Sequence, residues 1–250
     1  LDRGEAFSVY FGMFSRLSAF ERRGEQLGVR RPLSAAGRWA QVPGSVAMVL
    51  IAIGGTSFDG AQEGALVDPI KSVFDWLVDR GLGFADALRI ADTLFLALTL
   101  VAVFALFAIG IWGMCTVAGS PPAERLWRAF GHTLIPIALA YLVAHYFSLF
   151  VFQEQAQFGY LLSDPLGDGS DYFGTAGAGI DYTLISATAV WYVQVAALVI
   201  GHVAGLTLAH DRALVTYRDQ RAATRSQYWM LGVMIGFTCL GLFLLSQANA

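Results

Sequence analysis

The chain has 250 residues, 56% of them apolar and only 14% charged, with a net charge of −3 and a mean hydropathy of +0.57. A soluble domain of this size carries about a quarter charged residues, so the composition excludes an ordinary water-soluble globule. No basic excess is present to meet phosphates, which excludes nucleic acid as the expected partner.

The charge deficit comes from long apolar runs, the pattern of segments that live in lipid. The chain begins at Leu1 in mid-pattern, so an upstream part of a longer protein is expected. Residues 1–41 are expected to form a cytoplasmic or interfacial segment. Within them, FSVYFGMFSRLSAFERR sets Phe7, Tyr10, Phe11, Phe14 and Leu17 at helical spacing between arginines. That stripe predicts either a helix lying on the inner leaflet or the tail of another span.

Residues 42–250 are expected to form an all-α, polytopic membrane bundle of about five transmembrane helices. A hydrocarbon core of ~30 Å needs ~20 helical residues. The expected spans are 42–57, 93–118, 129–152, 185–209 and 229–247. The first is short and ends at Gly54-Gly55, and the third contains Pro136, where a kink is expected. Gly201 and Gly205 form a small-xxx-small pair that predicts close helix packing. Cys115 and Cys239 sit in apolar runs and are expected to be buried thiols rather than a disulfide framework.

The connecting segments alternate in charge. Arginines precede the first span and return as Arg125 and Arg128, then as Arg212, Arg218, Arg221 and Arg225. The segments 58–92 and 153–184 are acidic, and the second has no basic residue. Basic segments face the cytoplasm, which predicts an N-terminus inside, a C-terminus outside and two acidic external loops. The glycine-rich run at 167–179 has neither the glycine order nor the lysine of a nucleotide loop and is expected to be a flexible external loop.

Counting ~1.5 Å per residue along antiparallel spans brings polar side chains to one outer level. Tyr141, His145 and Ser148 share a helix face; Gln194, Thr56, Ser57 and Asp59 come near them. An ionisable group inside a span is a functional candidate. His145 with the carboxylates of Asp59, Glu154, Asp164 and Asp181 makes an oxygen/nitrogen shell for a divalent metal. The alternative is a neutral imidazole that ties helices together through Tyr141 or Gln194. Near the inner face His132 and His202 are read at nearly equal depth, as bis-histidine haem would need. No second pair supports a bundle cytochrome, and haem is not expected. His210 with Asp211 is expected to cap the end of its helix.

The runs GGTSFDG (54–60), IPIALAYLVAHYFSLFVFQ (135–153), SDPLGDGSDYFGTAG (163–177) and WYVQVAALVIGHVAGLTLAHDRAL (191–214) resemble actinobacterial membrane proteins labelled fenitrothion hydrolase. The resemblance implies a multi-pass protein of the bacterial plasma membrane that hydrolyses organophosphate triesters, with further spans upstream. Its phrases fall on Asp59, His145, Asp164, His202 and His210, with Asp181 four residues past the third run. Asp59 and His145 are the expected catalytic residues. A metal held by His145 and the outer carboxylates would lower the pKa of a bound water, and the hydroxide would attack phosphorus. An apolar aryl phosphotriester would enter from the bilayer. Against this, the chain has neither H-x-H nor H-E-x-x-H, so further ligands are expected from the upstream part or from another membrane subunit. The competing expectations are a non-enzymatic permease or assembly subunit and, after it, a haem or copper protein.

Overall fold

The structure is a computed structural model that describes residues 5–39 and 42–248. Residues 1–4 and 40–41 of the expected 1–41 segment, and residues 249–250 of the expected 42–250 bundle, lie outside the described residues. The protein is built almost wholly of helix: α1 (Ala6–Phe14), α2 (Ser45–Gln62), α3 (Val67–Asp79), α4 (Phe84–Cys115), α5 (Ala123–Phe130), α6 (Ile135–Ser163), α7 (Ala187–Thr216) and α8 (Gln220–Ala248). Two short strands, β1 (Phe20–Arg23) and β2 (Gln26–Val29), form an antiparallel hairpin.

Among the described residues four segments are long and apolar enough to cross a membrane: Phe84–Cys115, Ala123–Ser163, Ala187–Thr216 and Gln220–Gln247. They carry exposed apolar side chains outward, among them Leu98, Val101, Trp112, Ile200 and Val203, as lipid-facing helices do. The expected first span, α2, has 18 residues and is not among the four. It does not break at Gly54-Gly55. Gly54 instead lets α4 approach, since a Cβ there would lie 2.7 Å from Cδ2 of Leu100 and 3.4 Å from its Cα.

The helices run past the expected span ends because amphipathic turns continue them. The expected loop 58–92 is largely helical: it holds the end of α2, all of α3 and the start of α4. α3 buries Ile70 and Leu77, and Ile70 joins Phe58 and Ala91 in a small core of its own. The expected loop 153–184 begins only at Asp164, after α6 ends. Pro136 does not kink the middle of a span. It sits in the first turn of α6, where its missing N–H costs nothing. The bend lies just before it, in the 3-10 turn Gly131–Leu134.

At the N-terminus, Glu5 caps α1 by accepting the amides of Phe7 and Ser8. The apolar stripe is divided differently from the expectation. Met13 is fully buried and Tyr10, Phe14 and Leu17 pack on the main core, while Phe7 and Phe11 are exposed. The hairpin was not expected. Its turn uses Gly24 at φ 63, a left-handed conformation that glycine adopts without strain. Arg30 fastens it, donating Nε–H to the Ser18 carbonyl and Nη2–H to the Ser15 carbonyl, both at 2.6 Å.

The main core lies between α2, α4, α6, α7 and α8 and holds Leu50, Ile53, Phe107, Ile111, Leu134, Ile137, Met230 and Met234. The small-xxx-small pair does pack α7 onto α6. A Cβ on Gly201 would lie 2.9 Å from the Pro136 carbonyl, and one on Gly205 would lie 2.9 Å from the Thr133 carbonyl. One end of the bundle joins Met114 to Tyr217, whose hydroxyl donates to the Met114 carbonyl at 3.1 Å. At that same end Arg212 donates Nε–H to the Ala129 carbonyl at 2.9 Å. Cys115 and Cys239 are free thiols, half-buried and exposed respectively, so neither is fully buried as expected.

Candidate functional site

A cavity of about 150 Å³ lies between α2, α6, α7 and α8. Thr56 and Ser57 of α2 line it together with Glu63, the residue that caps the end of α2, and with Tyr141, His145 and Ser148 from α6 and Gln194 from α7. Helical spacing does this: 56, 57, 60 and 63 share one face of α2, as 141, 145 and 148 share one face of α6. Gly241 makes room for the Tyr141 hydroxyl, since a Cβ there would lie 2.7 Å from its oxygen, whereas a Cβ on Gly60 would meet Nδ1 of His145 at an ordinary 3.7 Å.

The polar atoms of the cavity differ in their satisfaction. Thr56 and Ser57 donate back to the carbonyls of Ala52 and Ile53 at 2.6 and 2.7 Å. The Tyr141 hydroxyl donates to the Phe237 carbonyl at 3.4 Å, a weak bond. Gln194, only 6% exposed, donates its Nε2 to the Ala144 carbonyl at 2.8 Å. That donation fixes the amide orientation and leaves Oε1 buried with no partner among the described residues. An unpaired buried acceptor costs ~1–3 kcal/mol, and such atoms call for an explanation. The His145 ring stands edge-on to Tyr146 with centroids 4.6 Å apart.

The expected gathering of Tyr141, His145, Ser148, Gln194, Thr56 and Ser57 is present. The expected carboxylates are elsewhere. Asp59 points away from the cavity and accepts from the Tyr146 hydroxyl at 3.5 Å, because it is one position off the lining face of α2. Glu63, one turn further on, lines the cavity instead. It was missed because the helix was expected to end at 57; the spacing Thr56, Gly60, Glu63 is the signal that it continues. Glu154 is half-buried on α6, nine residues past His145, a rise of ~13 Å. Asp164 accepts the amides of Asp168 and Gly169 at 2.9 and 2.8 Å. Asp181 accepts the amide and hydroxyl of Thr183 at 2.8 and 2.6 Å. Among the described residues no three His, Cys, Asp or Glu side chains lie together as metal ligands.

These aspartates organise the 164–183 loop. Hydrogen bonds hold their carboxyls below the ordinary carboxylate range: the Gly169 amide foremost for Asp164, the Tyr172 hydroxyl for Asp168 and the Thr183 hydroxyl for Asp181. Gln155 ties the loop to α6, accepting the Asp181 amide at 3.1 Å and donating to its carbonyl at 3.3 Å.

The inner histidines also differ from expectation. His202 has no partner at Nε2 among the described residues, bonds the Leu198 carbonyl through Nδ1 at 2.8 Å and sets its ring against Tyr141. His132 lies in the 3-10 turn, nine residues before Tyr141, so the two imidazoles are not at one depth. His210 does not end its helix. α7 runs on to Thr216, and His210 pairs with Gln227 of α8.

No family model, curated protein or solved structure matches this chain.

Proposed function

We propose that the chain is a five-span protein of a bacterial plasma membrane, N-terminus inside and C-terminus outside, that binds a small hydrogen-bonding molecule in the cavity near its outer face. The alternation of arginine-bearing and acidic segments supports the orientation, and α2, ~27 Å long at 18 residues, supplies the fifth span. One observation carries the binding reading: the Gln194 Oε1, buried and unpaired among the described residues, beside a cavity whose polar lining comes from the α2, α6 and α7 segments and whose α8 side is apolar. A group that donates a hydrogen bond would satisfy that oxygen, and His145 and Glu63 would orient it. Below the cavity Leu50, Ile53, Phe107, Ile137 and Met230 line a void of only about 10 Å³, which favours binding over a through-path.

A second reading is hydrolytic, and the presence of His145 and Glu63 in one cavity favours it. His145 would take a proton from water, whose oxygen would attack the phosphorus of an aryl phosphotriester as the aryloxide leaves. The resemblance to the fenitrothion hydrolase family supports this substrate class. A hydrolytic metal site takes about three protein ligands. The cavity offers only His145 and Glu63 as ionisable ligands among the described residues, so these residues do not fit a metal centre and no step goes through one.

The test is a chromogenic phosphotriester incubated with the detergent-purified protein and its His145→Ala and Glu63→Gln variants. Turnover lost in both variants supports the hydrolase. Absence of turnover, with thermal shifts by small hydrogen-bond donors that vanish in Gln194→Leu, supports binding alone. Absence of both overturns the cavity as the functional site.

A further inference from the structure

The hairpin sits near the arginine-rich end of the bundle, and its two faces differ. β1 and β2 pair Phe20 with Val29 and Arg22 with Leu27. Directly paired residues share a face of the ribbon, so Phe20, Leu27 and Val29 surround Arg22 on one side. These three apolar side chains are 59%, 77% and 72% exposed. Beside them a cleft of about 680 Å³ opens between the hairpin and the segment that follows it, lined by Glu21, Arg22, Arg30, Arg31, Ser34 and Arg38.

Four guanidinium groups thus face one carboxylate. Arg38 approaches Glu21 at 3.8 Å, with its own side chain 64% exposed. Arg30 is committed to the Ser15 and Ser18 carbonyls and forms the floor. Among the described residues Arg22 gives only its Nε–H to the protein, to the Gly24 carbonyl at 2.7 Å, and Arg31 is exposed. Arginine forks match phosphate oxygens in pairs. An exposed apolar face directly beside such a cleft matches a molecule with a phosphate at one end and hydrocarbon at the other.

We propose that the hairpin and its cleft seat an anionic phospholipid of the leaflet bordering the arginine-rich end. The cleft takes the headgroup phosphate through Arg22, Arg31 and Arg38, and Phe20, Leu27 and Val29 rest against the acyl chains. A soluble phosphate would have no use for the apolar face, and an acidic peptide would not need it placed at membrane level. The seat rests on the membrane reading above and is independent of the polar cavity.

The full chain is placed in nanodiscs of phosphatidylcholine mixed with phosphatidylglycerol, re-extracted, and its retained lipid counted by mass spectrometry. Phosphatidylglycerol is expected in excess over phosphatidylcholine. The triple variant Arg22→Gln, Arg31→Gln, Arg38→Gln is expected to lower that excess by about tenfold or more. The triple variant Phe20→Ser, Leu27→Ser, Val29→Ser is expected to lower it with every arginine in place. Arg218→Gln, Arg221→Gln, Arg225→Gln, on the neighbouring arginine-bearing turn, is expected to leave it unchanged. Arg22→Lys, Arg31→Lys, Arg38→Lys keeps the charge, guards against misfolding of the glutamine variant, and is expected to retain lipid at an intermediate level. Equal loss from both arginine-to-glutamine triples overturns the seat in favour of diffuse surface charge. Displacement of the lipid by inorganic phosphate, with no effect of the serine variant, overturns it in favour of a soluble phosphate site. Failure of the chain to enter the nanodisc overturns the membrane reading itself, and shows before any lipid is counted.

Discussion

Gln194 on α7 donates its amide to the carbonyl of Ala144 on α6 at 2.8 Å, and that single bond leaves its other polar atom, Oε1, an acceptor without a donor among the described residues. The bond joins two helices that already meet closely at Gly201 and Gly205, so stability does not obviously depend on it. A leucine at 194 would remove both the bond and the unpaired oxygen. Hydrogen bonds between membrane helices contribute ~0.6 kcal/mol on average. Gln194→Leu is therefore expected to change unfolding free energy by less than about 1 kcal/mol while abolishing ligand-induced thermal shifts. A loss of several kcal/mol in denaturant titration would make Gln194 a structural tie instead.

The glycines of α7 carry more of the packing. An alanine at 201 would press on the Ala140 Cβ and on the Pro136 carbonyl behind it, and one at 205 on the Thr133 carbonyl, 2.9 Å from where its Cβ would stand. Backbone atoms cannot swing aside, so each substitution is expected to cost about 1–3 kcal/mol by overpacking. Gly232 on α8 has nothing within 4 Å of where its Cβ would stand. There an alanine is expected to be neutral or to stabilise by up to about 1 kcal/mol through helix propensity. Thermal unfolding of the three variants in one detergent checks the contrast.

Asp59 and Glu63 separate the two versions of the site. Asp59 accepts from Tyr146 outside the cavity, and Glu63 lines it. If the protein turns over a phosphotriester, His145→Ala is expected to lower kcat by about 10²-fold or more, the scale of a lost general base. Glu63→Gln is expected to lower it as well, and Asp59→Asn to leave it nearly unchanged. Initial rates on a nitrophenyl phosphotriester provide the measurement.

The 164–183 loop is expected to be acid-sensitive. Its aspartates have carboxyls held below their ordinary value of 3.8 by hydrogen bonds to amides and hydroxyls of the loop. A folded-state value below the unfolded one adds order above pH 3.8, and that order is lost as the pH falls through the lowered values. Amide exchange at Gly169, Ser170 and Thr183, corrected for intrinsic rates, is expected to lose protection as the pH falls below 3.8. Asp164→Ala should show the same loss at Gly169 at neutral pH.

The sequence by itself determined that the chain is a helical, lipid-compatible bundle, because apolar runs longer than a bilayer is thick have few other homes. It also determined the level at which Tyr141, His145, Ser148 and Gln194 meet, since rise per residue is nearly constant along a helix. Only the tertiary structure decided where each helix stops and which way each side chain turns. α2 runs through Gly54-Gly55 because α4 packs against the glycine there, an interaction that no local pattern encodes. That continuation turns Glu63 into the cavity and Asp59 out of it, a matter of 100° per residue once the helix persists. The outer aspartates lie in the chain at plausible metal-ligand positions, yet nearby amides claim them first, and such short-range competition is visible only in three dimensions. The hairpin is the extreme case: four-residue strands have little pattern of their own, and Arg30 holds them by reaching back to the end of α1.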